Sequence, residues 1–236
     1  MLWRIPVGLA RLLPSVRDIE VRREVSVISQ AHPIEGAIFP EGWSEETPVS
    51  HYGSQYLKAE TPILKASEFA RKQVKMRFSK PYATITLRES SYWPTRNSSR
   101  SDWVKVADWL KSQNIQPVIV PDSEGTGFAA YGQYSEFAAA SFDVDLRAAL
   151  YEGAVVNLGV ANGPMYLCVF LDCRYIIFNV GGGKEMAAGS SAFLEANGLK
   201  DGDELSPNGK WLWEPDIAMN IIPQLQQFTE KTSCQA

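Results

Sequence analysis

From Pro81 onward, apolar and polar positions alternate between two periods. Short β-rich runs are separated by stretches with helical spacing. The runs Tyr82–Leu87, Gln116–Val120, Ala154–Gly159, Arg174–Asn179 and Trp211–Trp213 read as strands. Between them lies a helix over Ser101–Asn114, with Trp103, Val106, Ala107 and Leu110 on one face. Ser99 and Asp102 stand before it at capping-box spacing. Asp145–Glu152 predicts a second helix. Gly163-Pro164 opens a third, running to about Asp172, because proline suits a first turn whose N–H groups lack partners. Ser190–Asn197 predicts a fourth helix, stopped by Gly198, and Ile217–Phe228 a last one, which Pro223 should kink or split. Residues 123–143 are rich in Gly, Ala and aromatics and show neither period.

Before Pro81 the pattern is broken by Pro6, Pro14, Pro33, Pro40, Pro48 and Pro62. One helix stands out, from about Ser67 to Phe78, capped by Ser67 with Phe69, Ala70, Val74 and Phe78 at helical spacing. The chain therefore divides into an irregular region, 1–80, and an α/β region, 81–236. Strands separated by helices imply βαβ units: a Rossmann-like, mainly parallel sheet with helices on both faces. Ligands of such sheets bind outside the carboxyl ends of the strands, where the strand order reverses.

The 236 residues are 45% hydrophobic and 21% charged, enough for an ordinary core without staples. With 23 basic and 27 acidic residues the net charge is −4, and no basic stripe exists, which argues against nucleic acid as a partner. Only three cysteines (Cys168, Cys173, Cys234) and two histidines (His32, His51) occur. Neither a disulfide framework nor a multi-histidine metal site fits that inventory, so no metal is expected. No apolar run is long enough to span a bilayer. The segment Met1–Leu13 lacks a clean signal-peptide core. It reads as part of the fold of a cytoplasmic protein, with a peripheral membrane contact as the alternative.

Two loops at strand ends carry candidate chemistry. The first, Arg88 to Arg100, holds three arginines with Asn97, Ser98 and other hydroxyls. Guanidinium forks match phosphate oxygens, and the helix that follows adds N–H groups and a positive dipole end. Its alternative is a polar surface loop whose arginines pair with Glu89 and Asp102. The second, Gly159 to Met165, is built of small residues that let a ligand approach the backbone at a helix start. Its alternative is a tight turn that needs Gly and Pro for geometry alone. A third cluster, Gly181 to Glu185, reads as a flexible turn or a further wall of the cleft. Asp122 and Glu124, after the second strand, could bind a ribose or base, or could be solvated turn residues.

The segment from Leu150 to Leu167 resembles GT-B-type glycosyltransferases of the heptosyltransferase-like branch. There an Asp-Ser-Gly-Pro-Met-His turn contacts the diphosphate of a sugar-nucleotide donor. Gly163-Pro164-Met165 keeps that motif, Ala161-Asn162 replaces its Asp-Ser pair, and Tyr166 replaces its His. The loop after Leu87 is similar to the family's other phosphate loop, and to the fucosyltransferase-like members that use an arginine there. The resemblance covers about residues 82–231, the donor half. It implies a donor diphosphate held by Arg88, Arg96, Asn97, Ser98, Asn162, Gly163, Pro164 and Met165. It also implies transfer of the sugar, without metal or cofactor, to an acceptor such as a glycan or lipid-linked glycan. The catalytic base would come from the N-terminal region. His51 in the turn Ser50-His51-Tyr52-Gly53 is the first candidate, ahead of His32, Glu45, Glu46 and Glu60. Two other readings stay open: a non-catalytic nucleotide- or glycan-binding module, and a nucleotide-sugar epimerase or hydrolase. A pair of Rossmann-type halves needs more than about 300 residues. The acceptor half is thus expected to be reduced, or the chain to lack its beginning.

Overall fold

The computed structural model describes residues 12, 64–91, 94–123, 133–179, 195, 200–202 and 209–233. Within them six strands form one all-parallel sheet: β1 (Tyr82–Thr86), β2 (Gln116–Val120), β3 (Ser135–Glu136), β4 (Val156–Val160), β5 (Tyr175–Phe178) and β6 (Gly209–Trp211). Their spatial order is β3-β2-β1-β4-β5-β6, the doubly wound Rossmann order. β1 is flanked by β2, with Thr86 opposite Val120, and by β4, with Thr86 opposite Gly159. The direction of winding reverses between β1 and β4. A buried parallel strand must be apolar on both faces, and every residue of β1, β4 and β5 is buried.

Among the described residues, the helices with full ranges that flank the sheet are α1 (Glu68–Arg77), α2 (Arg100–Ser112), α3 (Val144–Gly153), α4 (Gly163–Phe170) and α5 (Ala218–Ser233). One face is covered by α2 and α5. Trp103, Val106, Ala107 and Leu110 of α2 pack with Ile221 and Leu225 of α5 on Ile85, Ile119, Leu158 and Phe178. The indole of Trp103 meets the Phe178 ring edge-on at 6.2 Å. The other face carries α1, α3 and α4, together with Leu12. There α1 is joined to α3 by polar bonds: Ser67 N–H and Oγ–H donate to Asp145 (2.8 and 2.6 Å), and Arg71 Nε donates to Glu152 (2.7 Å). The helical layer on this face thus begins before Pro81.

The predicted elements appear with shifted ends. Phe69, expected on the buried face of α1, is 70% exposed, while Ala70, Val74 and Phe78 are buried as expected. The last strand starts two residues early, at Gly209. Its Cβ-less Gly209 is required there, since a side chain would fall 2.0 Å from the Tyr175 ring. Pro223 does not split α5, which runs through it for 16 residues. Its missing N–H costs one bond near the start of a helix already anchored by Ile221 in the core. Within the unreadable stretch 123–143 lie the two-residue edge strand β3 and a 3-10 turn, Ala138–Ser141. The expected helix 190–197 lies outside the described residues, apart from the helical Glu195.

Candidate functional site at the switch point

Both candidate loops emerge at the carboxyl ends of β1 and β4, on either side of the reversal. They touch: Arg96, at the end of the 3-10 turn Pro94–Arg96, donates from Nη2 to the carbonyl of Ala161 at 3.0 Å. Arg96 also lies near the phenol of Tyr166. Burial raises the pKa of that phenol and the guanidinium charge opposes the rise. Tyr166 in turn packs on Trp211 with ring centroids 5.0 Å apart.

The arginine loop is largely bonded to itself. Arg88 is buried, and its Nη1 donates to Asn97 Oδ1 at 2.6 Å. The same Asn97 oxygen accepts the Ser90 N–H (3.0 Å), and Asn97 Nδ2 donates to the Ser90 carbonyl (3.0 Å). Ser98, also buried, accepts the Arg88 N–H on Oγ at 2.9 Å, and its own N–H donates to the Arg88 carbonyl at 2.9 Å. Arg88, Asn97 and Ser98 were expected to face a ligand. These bonds tie them to one another within the loop that carries Arg96. Asp122 serves the same loop, since its Oδ2 accepts the Glu89 N–H at 3.1 Å. Arg100 pairs with Glu89, as the surface-loop alternative expects.

The N-terminus of α2 departs from expectation. Ser99 and Asp102 do interact, through Ser99 Oγ–H to Asp102 Oδ2 at 2.6 Å, but no reciprocal capping box forms. The Ser99 N–H donates instead to Asp216 Oδ2 (3.0 Å), which also accepts the Trp103 indole N–H at 2.9 Å. Asp102 returns the contact by accepting the Ala218 N–H at 3.2 Å. Each carboxylate thus serves the start of the other's helix. Burial raises the Asp216 pKa against the pull of these donors. The Ser99 hydroxyl leads the causes that lower the Asp102 pKa. A ligand anion at this helix end would meet two carboxylates.

The N-terminus of α4 is different. Asn162 is its N-cap, with Oδ1 accepting the Met165 N–H at 2.9 Å. Asn162 Nδ2 has no partner among the described residues. A Cβ placed on Gly163 would meet nothing within 4 Å, so the space over this turn is open. Pro164 is exposed and offers no N–H. Met165 points the other way: its side chain is fully buried against Gly159, where an added Cβ would lie 2.8 Å from Met165 Cγ and 2.7 Å from the Thr86 carbonyl. The methionine therefore shapes the turn from below, and Asn162 and Gly163 form its surface. His51, Glu124, the alternative bases His32, Glu45, Glu46 and Glu60, and the cluster Gly181–Glu185 lie outside the described residues.

Two buried charges carry no expectation from the sequence, Asp216 and Arg147. Arg147 on α3 is 6% exposed; its Nε donates to the Ala140 carbonyl (2.7 Å) and its Nη1 to Tyr151 Oη (3.0 Å). That hydroxyl also bonds Thr86 Oγ1, at the end of β1, at 2.7 Å. A lone basic residue inside the run Leu146-Arg147-Ala148-Ala149-Leu150-Tyr151 was the available signal. Among the described residues no group of three or more His, Cys, Asp or Glu could hold a metal, and no helix is long and apolar enough to cross a membrane.

No protein-family model and no curated protein matches the chain. Three solved structures are similar to it in fold. The E. coli ADP-heptose lps heptosyltransferase II shares 12% identity at a TM-score of 0.49, over 73% of this chain and 53% of that one. The glycosyl transferase family 9 protein from Veillonella parvula DSM 2008 shares 14% at 0.46, over 56% and 41%. The E. coli heptosyltransferase WaaC with ADP-2-deoxy-2-fluoro heptose shares 12% at 0.42, over 92% and 59%. The chain thus covers between 41% and 59% of the length of these proteins.

Proposed function

We propose that the chain binds a nucleotide-diphosphate sugar in the crevice over β1 and β4 and acts as the donor half of a glycosyl transfer to an acceptor. The observation that carries this reading is the juxtaposition at the strand reversal. Arg96 bonds across to Ala161, beside an open helix N-terminus formed by Asn162 and Gly163. A guanidinium, a carboxamide N–H2 and a positive helix end on one crevice form a donor set for a diphosphate. In transfer, charge builds on the leaving diphosphate, and fixed donors aimed at it lower the barrier without having to reorganise. His51 is the proposed base.

Calorimetry with UDP-, GDP- and ADP-sugars tests the reading. We expect binding of one class, weakened about tenfold by Arg96→Ala, the loss of one charged hydrogen bond. Absence of binding across the panel would rule the reading out.

The second reading is a non-catalytic binding module. It is favoured by the occupation of the α2 N-terminus by Asp216 and by the internal bonding of Arg88, which leave fewer donors for a reacting diphosphate. Donor binding with no product in the presence of candidate glycan acceptors would select it.

A further inference from the structure

The described arginines are paired in an unusual distribution. Arg71 and Arg100, with side chains 45% and 48% exposed, each bond a carboxylate. Arg147, at 6% exposure, bonds none among the described residues. The carboxylates of its own helix are committed elsewhere. Asp143 Oδ1 accepts the N–H groups of Asp145 and Leu146, Asp145 holds Ser67, and Glu152 holds Arg71 and the Ala66 N–H. A carbonyl and a phenol orient the guanidinium but carry no countercharge, and a buried ion without one is strongly disfavoured.

The two anchors also locate it. Ala140 belongs to the turn whose Ser141 hydroxyl donates to the Pro121 carbonyl, just past the end of β2. Tyr151 Oη bonds Thr86, the last residue of β1. The guanidinium is therefore slung beneath the carboxyl ends of β1 and β2, on the α3 side of the same edge that carries Arg96 and Asn162. Its Nη2 has no protein partner among the described residues. Among them Trp211 Nε1 is the one sealed side-chain polar atom left without a partner, so Nη2 is not wholly sealed.

We propose that Arg147 is a phosphoryl-binding residue: its Nη2 takes an oxygen of a diphosphate lying over the carboxyl edge of the sheet. This deepens the proposed function and rests on it for the identity of the ligand. Nε and Nη1 fix the plane of the guanidinium before the ligand arrives, so little side-chain freedom is lost on binding. Arg147 touches the anion and is not assigned a part in proton transfer.

The test uses the full chain and pyrophosphate as the probe. We expect saturable binding by calorimetry, weakened about tenfold or more by Arg147→Met and partly restored by Arg147→Lys. Because Arg147 also bonds Ala140 and Tyr151, a second readout leaves the protein unaltered. The 15N resonances of the Arg147 guanidinium should shift during a pyrophosphate titration. The proposal is overturned by unchanged affinity in a folded Arg147→Met, by unshifted guanidinium resonances, or by no wild-type binding up to about 10 mM. The two proposals separate cleanly. Nucleotide-sugar binding that Arg147→Met leaves intact sinks this one alone. Pyrophosphate binding through Arg147 with no nucleotide sugar bound sinks the glycosyl reading alone.

Discussion

At the start of α2, the Ser99 N–H points at the protein's own carboxylate, Asp216, with Asp102 beside it. At the start of α4, a neutral Asn162 caps one N–H, and a Cβ on Gly163 would meet nothing within 4 Å. These two helix ends lie on either side of the same strand reversal, and both carry the positive end of a helix dipole. In α2 the dipole is answered internally, and Asp216 ties α2 to α5. In α4 the cap satisfies an N–H group without cancelling the dipole, so the field remains for an incoming anion. The comparison teaches that a βα turn in a Rossmann sheet is not a phosphate site by position alone. What occupies the N–H groups decides it.

The largest expected effect comes from filling the floor of the open side. Gly159→Ala would place a Cβ 2.7 Å from the Thr86 carbonyl, which cannot yield without moving β1, and under 3 Å from the Met165 side chain, which would have to repack in the core. We expect a loss of about 3 kcal/mol in chemical denaturation, the upper range for an overpacked core. A change below about 0.5 kcal/mol would mean that Met165 does not hold the turn as described.

Next is the closed side. Asp216→Ala leaves the Ser99 and Trp103 N–H groups without their acceptor, at about 2–3 kcal/mol. Asp216→Asn gives a finer reading by pH. Burial raises the folded pKa of Asp216 above its ordinary value of 3.8. The fold therefore holds this proton more tightly than the unfolded chain. The resulting stability is complete below about pH 4 and is lost as pH rises through the folded pKa. Asp102 has the opposite sign, its stabilisation being lost as pH falls below the same ordinary value. Asp216→Asn should abolish the decline above pH 4 and leave the acid limb in place. Denaturation midpoints between pH 3 and 7 would show both limbs, and a decline unchanged in the variant would contradict the assignment.

The smallest effect sharpens the contrast. Asn162→Ala removes a single cap, at about 1 kcal/mol. Asn162→Asp should keep stability but bring to α4 the negative charge that α2 already carries. If the open end is the anion site, that variant should bind pyrophosphate less well than wild type while melting at or above it.

Much of the fold was legible because local pattern and tertiary role agree. The buried strands are runs of β-branched and apolar residues, and Gln116–Val120 appears with the bounds predicted for it. The edge strand β3 was not legible, because two residues carry no period. At the site, Asn162 could be placed as the residue before a Gly-Pro helix start. The partner of Ser99 could not, since Asp216 lies 117 positions away. Phe69 fits the helical spacing of its neighbours yet lies on the outward side of α1, a one-residue error in the width of the apolar stripe. Arg88 and Arg147 show the same limit for charge. Arg88 was expected to face a ligand and Arg147 carried no expectation, and only the packed structure shows both turned inward.

The pairing of Thr86 with Gly159 joins positions 73 residues apart, whereas Thr86 and Val120 are separated by 34. Closing the longer loop costs more chain entropy and yields contacts only once the intervening helices are laid down. The crevice is thus expected to form after β1 and β2 have paired. A nascent chain that has emerged only through β2 and α3 lacks both the Ala161 carbonyl that Arg96 bonds and the Asp216 carboxylate that accepts the Ser99 N–H. The candidate site comes into being when β4 docks beside β1, so its assembly reports completion of the sheet's centre.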